Sequence, residues 1–292
     1  MLGDLADWFE SHILRRGTAA VFGSLFTLLT FSTLLGNVFG SVVVRGIALV
    51  CVGLIVVAAV VASLMNRRNA RSEHRMHSEL LAKYCDFIID HRPEPLIMAD
   101  LWKQTVYIQR NGDVREVVVI SATTLRELTY FIRFMCGPNW EQPERFHRRV
   151  KVWIRGLTVD GEVVPRCRVT KSWRPDGRMK SIVHFEEPVR EGQRIKLTME
   201  RYWPAKCHPM VCDHVADDFT FRTTKLIQVK KIDFRIVFPL GVDAEFGKLP
   251  SNDTAFRMKV TTDVDSENRN VIVWRARDLP VFQTVGIWVK IK

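Results

Sequence analysis

From Gly17 to Asn66 the chain runs fifty residues with a single charge, Arg45. No other stretch restricts the fold as strongly, because so much uncharged surface has to be hidden from water. Arg45 divides it into two uncharged runs, Gly17–Val44 and Gly46–Asn66. A hydrocarbon core about 30 Å thick takes roughly 20 apolar residues per helical span. The first run is long enough for a helix and a break at Leu35-Gly36-Asn37; the second just fits one helix. Lipid offers the backbone no hydrogen bonds, so runs that cross it must be helices. The expectation is a transmembrane helical hairpin over residues 17–66, with Arg45 at its tip or snorkelling to the far interface. A cleaved signal peptide fits less well, since the first residues hold Asp4, Asp7 and Glu10 without a basic segment.

Arg15 and Arg16 precede the first run, and Arg67, Arg68 and Arg71 follow the second. Cytoplasmic flanks keep the excess of Lys and Arg, which places both termini there. The topology this predicts crosses the membrane twice, with both termini cytoplasmic. Residues 1–16 repeat Leu2, Leu5, Phe9 and Ile13 at helical spacing, an amphipathic helix for the interface or for the folded domain. Within the first run Ala20, Gly23, Thr27 and Thr30 share one helical face. Small and hydroxylated residues there either let helices pack closely or line a pore in an assembly of copies. Residues 67–95 continue as a stalk helix, with Met76, Leu80, Tyr84, Phe87 and Ile88 as its apolar stripe and Arg92-Pro93-Glu94-Pro95 as its end.

Charge separates the two ends of the chain. Of 43 Lys and Arg and 32 Asp and Glu, three of each precede residue 67, so the remainder carries the whole net +11. Such an excess draws anions, whether phospholipid headgroups, nucleotides or nucleic acid. Beyond Pro95 the apolar period changes from 3.6 to 2. Gln104–Gln109 and Val114–Ile120 flank Arg110-Asn111-Gly112-Asp113, a strong hairpin signal. Thr124 and Glu127 suggest a short capped helix ending near Met135. Strand-like runs follow at His147–Arg155, Val163–Trp173, Arg178–Glu186, Arg194–Tyr202, Phe219–Leu226, Val229–Phe238, Phe256–Thr262, Val271–Ala276 and Val281–Ile291. Many short strands with Gly- and Pro-containing turns predict an antiparallel β-sandwich or barrel over residues 96–292. The fold class expected is therefore a membrane α-helical hairpin joined to a mainly-β, basic domain.

Alternation along these strands exposes cations. Arg149, Lys151, Trp153 and Arg155 share one face of a run, Arg166 and Arg168 a face of the next, and Arg178 and Lys180 a face of the third. If the strands are neighbours, the faces merge around Trp153 into a phosphate-contacting and base-stacking surface. The alternative is the solvated outer face of an antiparallel sheet, which normally carries Lys and Arg. Cys207-His208-Pro209-Met210-Val211-Cys212-Asp213-His214 packs four metal-type ligands into eight residues, too close to close a tetrahedral cage without a second cluster. The reading there is free thiols, in keeping with a reducing compartment. No metal, cofactor or catalytic residue is expected: GxSxG, HExxH, GxGxxG and phosphate-loop patterns are missing.

In layout the chain resembles membrane effectors of bacterial anti-phage defence, including two-span β-barrel effectors of cyclic-oligonucleotide signalling such as the Panoptes type, and the effector of the Hailong system. The resemblance rests on architecture, with no residue motif to carry a site across. It implies a membrane-disrupting or channel-forming effector, a homo-oligomer taken as a tetramer, contacting inner-membrane lipid. It also implies gating by a nucleotide or short oligonucleotide that a partner nucleotidyltransferase makes. The alternative is a membrane-anchored scaffold or adaptor whose β-domain binds protein or lipid.

Overall fold

The computed structural model describes residues 46, 53, 57, 76–77, 80–88, 91, 94–165, 167–250 and 256–292. The chain divides into two compact units, Met1–His77 and Ser78–Lys292. In the first, Gly46, Gly53, Val57, Met76 and His77 are described, all helical. The interfacial helix expected over residues 1–16, nearly all of the 17–66 hairpin, and the face formed by Ala20, Gly23, Thr27 and Thr30 lie outside the described residues. Among the described residues no helix is long and apolar enough to cross a membrane. What is described is mainly β, which corrects the expected hairpin-plus-domain class. The transmembrane and channel reading and the twice-crossed inner membrane rested on that hairpin and are withdrawn with it. Hydropathy over Gly17–Asn66 measures how much apolar surface needs cover; it does not specify what covers it.

Among its described residues the second unit holds fifteen strands. The first two, β1 (Ile97–Ile108) and β2 (Val114–Thr124), form the hairpin that Asn111-Gly112 foretold. The Asn111 side chain accepts from the Asp113 amide at 3.0 Å, and Gly112 sits at φ 78°, where a side chain is strained. A Cβ at Gly112 would also meet the His208 backbone at 2.6 Å. Next come β3 (Leu128–Cys136), a short helix α1 (Glu144–His147), β4 (Lys151–Val159), β5 (Glu162–Val163), β6 (Cys167–Trp173), β7 (Met179–Arg190) and β8 (Arg194–Trp203). Helix α2 (His208–Cys212) is followed by β9 (Asp217–Arg222), β10 (Ile227–Val229), β11 (Lys231–Val237), β12 (Ala244–Leu249), β13 (Arg257–Val264), β14 (Asn270–Arg277) and β15 (Thr284–Ile291).

A nine-stranded sheet runs β13-β14-β11-β1-β2-β8-β4-β5, with β10 beside β1. Two three-stranded sheets, β12-β15-β9 and β3-β7-β6, complete the unit. The large sheet is mixed rather than wholly antiparallel, because β1 pairs in parallel with β10 and β11. Its inner face, including Trp102, Val118, Leu197, Met199, Phe234 and Trp274, shares one buried cluster with Ile132, Phe134 and Val183 of one small sheet and Phe219, Val285 and Ile287 of the other. Alternation is strict along β2, buried at even positions and half-exposed at odd ones until Thr124.

Two local expectations fail for identifiable reasons. Leu128–Cys136 is a strand, not a capped helix: its run of aromatic and β-branched residues suits a pleated surface. Thr124 ends β2 instead, its hydroxyl bonded to the Arg190 and Gln193 carbonyls. In the helical stretch 80–88, Ala82 and Cys85 are buried against Ile182 and Phe131, while Leu80, Tyr84, Phe87 and Ile88 face outward. Small side chains let the helix settle on the β3-β7 face. Asp86 anchors it between Arg133 (2.6 Å) and Lys180. Burial alone would raise the Asp86 carboxyl, and the two cations overcome it, holding it below its ordinary range.

Candidate functional site

The predicted basic residues do not converge. β4 belongs to the large sheet, β6 and β7 to a small one. Arg168 and Lys180 lie on the small-sheet face that carries residues 80–88, since Arg168 is paired with His184 and Lys180 lies two residues from Ile182 on β7. Lys151 and Trp153 lie on the outer face of the large sheet. Both sheets put their opposite faces into the common core, so the two groups point away from each other. Three of the candidates are already neutralised: Arg155 by Glu200 at 2.6 Å, Arg178 by Asp176 at 2.8 Å and Lys180 by Asp86. Arg166 lies outside the described residues.

What the register assembles instead is a row across the outer face. Lys151 of β4 pairs with Tyr202 of β8, Tyr202 with Arg115 of β2, and Arg115 with Tyr107 of β1. Cation and aromatic thus alternate across four adjacent strands. Trp153 lies in the next row opposite Glu200. Arg155 occupies a bulge and places its guanidinium 5.3 Å from the Trp153 ring centroid. The Tyr202 hydroxyl bonds Asp113; that bond and burial push the phenol pKa up, against the nearby Arg149.

At the β1 end the row opens into a groove of about 550 Å³. Tyr107 stands in it with two guanidiniums close by, Arg115 at 5.4 Å and Arg269 at 5.7 Å from its ring centroid. Arg269 is fixed by Asp265 at 2.7 Å and Glu267 at 3.2 Å, and Asp265 lifts its pKa further. Arg235 and Lys103 complete the wall. Among the described residues the Arg235 Nε–H is buried without a hydrogen-bond acceptor, and its carboxylate contact there is Asp233 at 3.7 Å. Lys103, Arg115, Arg235 and Arg269 line the groove with Asp265 and Glu267, and Arg115 shares Glu200 with Arg155, at 2.8 Å. Chemically it offers spare N–H donors beside a π-face, the pairing that phosphate plus base requires. Sequence reasoning missed Tyr107, Arg115, Arg235 and Arg269. The Asn-Gly hairpin does hold a signal for two of them, because a turn centred on Asn111-Gly112 sets Tyr107 opposite Arg115.

The Cys207–His214 segment surrounds α2. Cys207 is fully buried, and burial drives its thiol well above the ordinary range, with Asp217 adding to the shift. Cys212 is exposed, its Sγ 3.3 Å from His208 Nδ1.

No family model matches the chain, and no curated protein does. Among solved structures it is similar to a "putative protease" from Parabacteroides distasonis ATCC 8503, at 12% identity and TM-score 0.46, over 67% of this chain and 40% of that one. It is also similar to the M1 zinc metallopeptidase of Deinococcus radiodurans, at 12% identity and TM-score 0.39, over 66% of this chain and 42% of that one. A "putative nutrient binding protein" of Legionella pneumophila matches at 8% identity and TM-score 0.35, over 67% of each chain. The chain spans about two fifths of the length of the two peptidase-type structures. At TM-scores below 0.5, none of these likenesses bears on activity.

Proposed function

We propose that the β-unit is a binding module for a phosphate-bearing ligand with a stackable base, a nucleotide or short oligonucleotide, seated on the outer face of the large sheet. The observation that carries this is the in-register row Lys151–Tyr202–Arg115–Tyr107 ending in the Arg235 and Arg269 groove. A base stacked on an aromatic ring is worth about 1–3 kcal/mol. A charge-assisted hydrogen bond to phosphate contributes roughly 1.5–3 kcal/mol. In an anti-phage defence system such a unit would serve as the nucleotide sensor.

Calorimetry on the full chain, with a cyclic dinucleotide and a single-stranded DNA hexamer at two salt concentrations, tests the reading. Saturable binding is expected, weakened at least tenfold by Tyr107→Ala or Arg235→Gln and unchanged by Arg168→Ala on the opposite surface. No saturable binding to either probe overturns it. So does equal loss in all three variants, the mark of diffuse attraction screened over about 8 Å. A second reading, a scaffold that binds protein, draws support from the outward Leu80, Leu81, Tyr84, Phe87 and Ile88.

A further inference from the structure

A second cavity, of about 280 Å³, lies on the other face of the large sheet. Its floor is the cross-strand pair Glu116 and Arg201, and its walls are two strands that each lack a partner on one side, β3 and β9. No strand pairing joins β3 to β9. Asn139, just past β3, bridges them by donating to Asp217 Oδ1 at 2.8 Å and to the Asp218 carbonyl at 2.5 Å. Trp102 sits below both strands, 5.9 Å from Phe134 and 4.9 Å from Phe221 between ring centroids. The gap therefore has an aromatic side and an ionic end.

The ionic end does not balance. Glu116 and Arg201 are almost wholly buried, with side-chain exposures of 0% and 4%, and Lys206 is bonded to the same carboxylate. Two cations thus share one anion. Arg201 Nε approaches Glu116 Oε2 at 3.2 Å without the alignment of a hydrogen bond, and among the described residues neither atom has a hydrogen-bond partner. Asp217 and Asp218 line the same space, yet no ion pair joins either to Arg201 or Lys206 among the described residues. Buried charge without a counter-charge is strongly disfavoured, and buried polar atoms in folded proteins are almost always met by a partner, an ion or water. Pockets for drug-sized molecules begin near 300 Å³, so this volume suits a smaller one.

We infer that this cavity binds a small organic anion, a carboxylate carried on a flat apolar group. The carboxylate accepts from Arg201 and supplies the missing negative charge, and the apolar group lies against Trp102, Phe134 and Phe221. The site is separate from the outer groove, and neither reading depends on the other. Waters alone could meet the orphaned atoms, but they would not supply the charge.

Thermal-shift and calorimetric titration of the full chain with acetate, phenylacetate and phenylacetamide tests this. Phenylacetate is expected to bind saturably at one site and raise Tm with concentration. Acetate should bind at least tenfold more weakly for want of the ring, and the amide at least tenfold more weakly for want of the charge. Phe221→Ala, on the inward face of β9, removes one ring of the aromatic side while leaving every charge in place and should weaken phenylacetate binding at least tenfold. Arg201→Met should abolish the preference for acid over amide; should that variant not fold, Phe221→Ala still decides. Equal binding of acid and amide overturns the inference, as does phenylacetate binding unchanged in Phe221→Ala. Absence of saturable binding to all three compounds overturns it too and leaves the cavity to solvent.

Discussion

The two faces of the large sheet use the same residues in opposite ways. β2 carries Arg115-Glu116 and β8 carries Glu200-Arg201, and alternation turns one member of each dipeptide outward and the other inward. Outside, Arg115 meets Glu200 at 2.8 Å, with Arg155 as a second cation. Inside, Arg201 meets Glu116 at 3.2 Å, with Lys206 as the second cation. Each face thus has one carboxylate between two cations. What differs is water: Arg115 and Arg155 are about half exposed, with side-chain values of 49% and 55%, whereas Glu116 has none. An exposed pair contributes only about 0–1 kcal/mol. A buried pair adds little beyond an apolar replacement, but breaking it costs about 3–5 kcal/mol because the survivor is stranded. The lesson is that position decides whether such a cluster is structural or available to ligands.

The largest expected effect follows from stranding the inner cations. Glu116→Gln should destabilise the unit by about 3–5 kcal/mol, read as a lower denaturation midpoint at unchanged slope. Adding Arg201→Met to it should recover part of that loss. A double variant no better than the single one would mean that Lys206, not Arg201, carries the dependence on Glu116.

Acid titration compares the faces next. Burial would raise the Glu116 carboxyl, but Lys206 and Arg201 hold it below its ordinary value near 4.3. A carboxyl depressed in the fold stabilises it above the unfolded value, and that contribution disappears as pH falls through the folded one. The stability gap between wild type and Glu116→Gln should therefore be full at pH 6 and shrink below about pH 4.3. A gap that stays constant down to the acid transition would place the cost of the variant in packing.

The smallest stability effect belongs outside. Glu200→Gln should change stability by less than about 1 kcal/mol while freeing Arg115 and Arg155. Binding of the cyclic dinucleotide should tighten, more at low salt than at high. Weaker binding would show that Glu200 aims those guanidiniums rather than occupying them.

Much of the β-unit can be read from alternation: the Asn111-Gly112 hairpin and most of β6 to β15 fall where apolar residues recur every second position. Ala244–Leu249 escaped notice because Gly247, which packs against the Trp288 indole, breaks the pattern. The predicted basic residues fail to meet for a different reason. Which cations share a surface depends on which strands are neighbours, and β4 joins β8 rather than β6 or β7, a long-range pairing with no local signature. The stretch 80–88 shows a third limit. Its apolar stripe is plain in sequence, yet Asp86 and the small Ala82 and Cys85 choose the buried side.

The parallel pairing of β1 with β11 also sets an order of assembly. β1 finds β2 at once through the hairpin, but its other edge waits for Trp102 to meet Ile232 and for Tyr107 to meet Val237. At about 5–20 residues per second during synthesis, that edge stays open for several seconds or longer. An open strand bearing Trp102, Val106 and Ile108 is a template for joining other chains. Chains truncated before Lys231 should therefore sediment as aggregates rather than yield a smaller soluble sheet, whereas extension through β15, so that β14 pairs β11 and β15 pairs β9 and β12, should restore solubility.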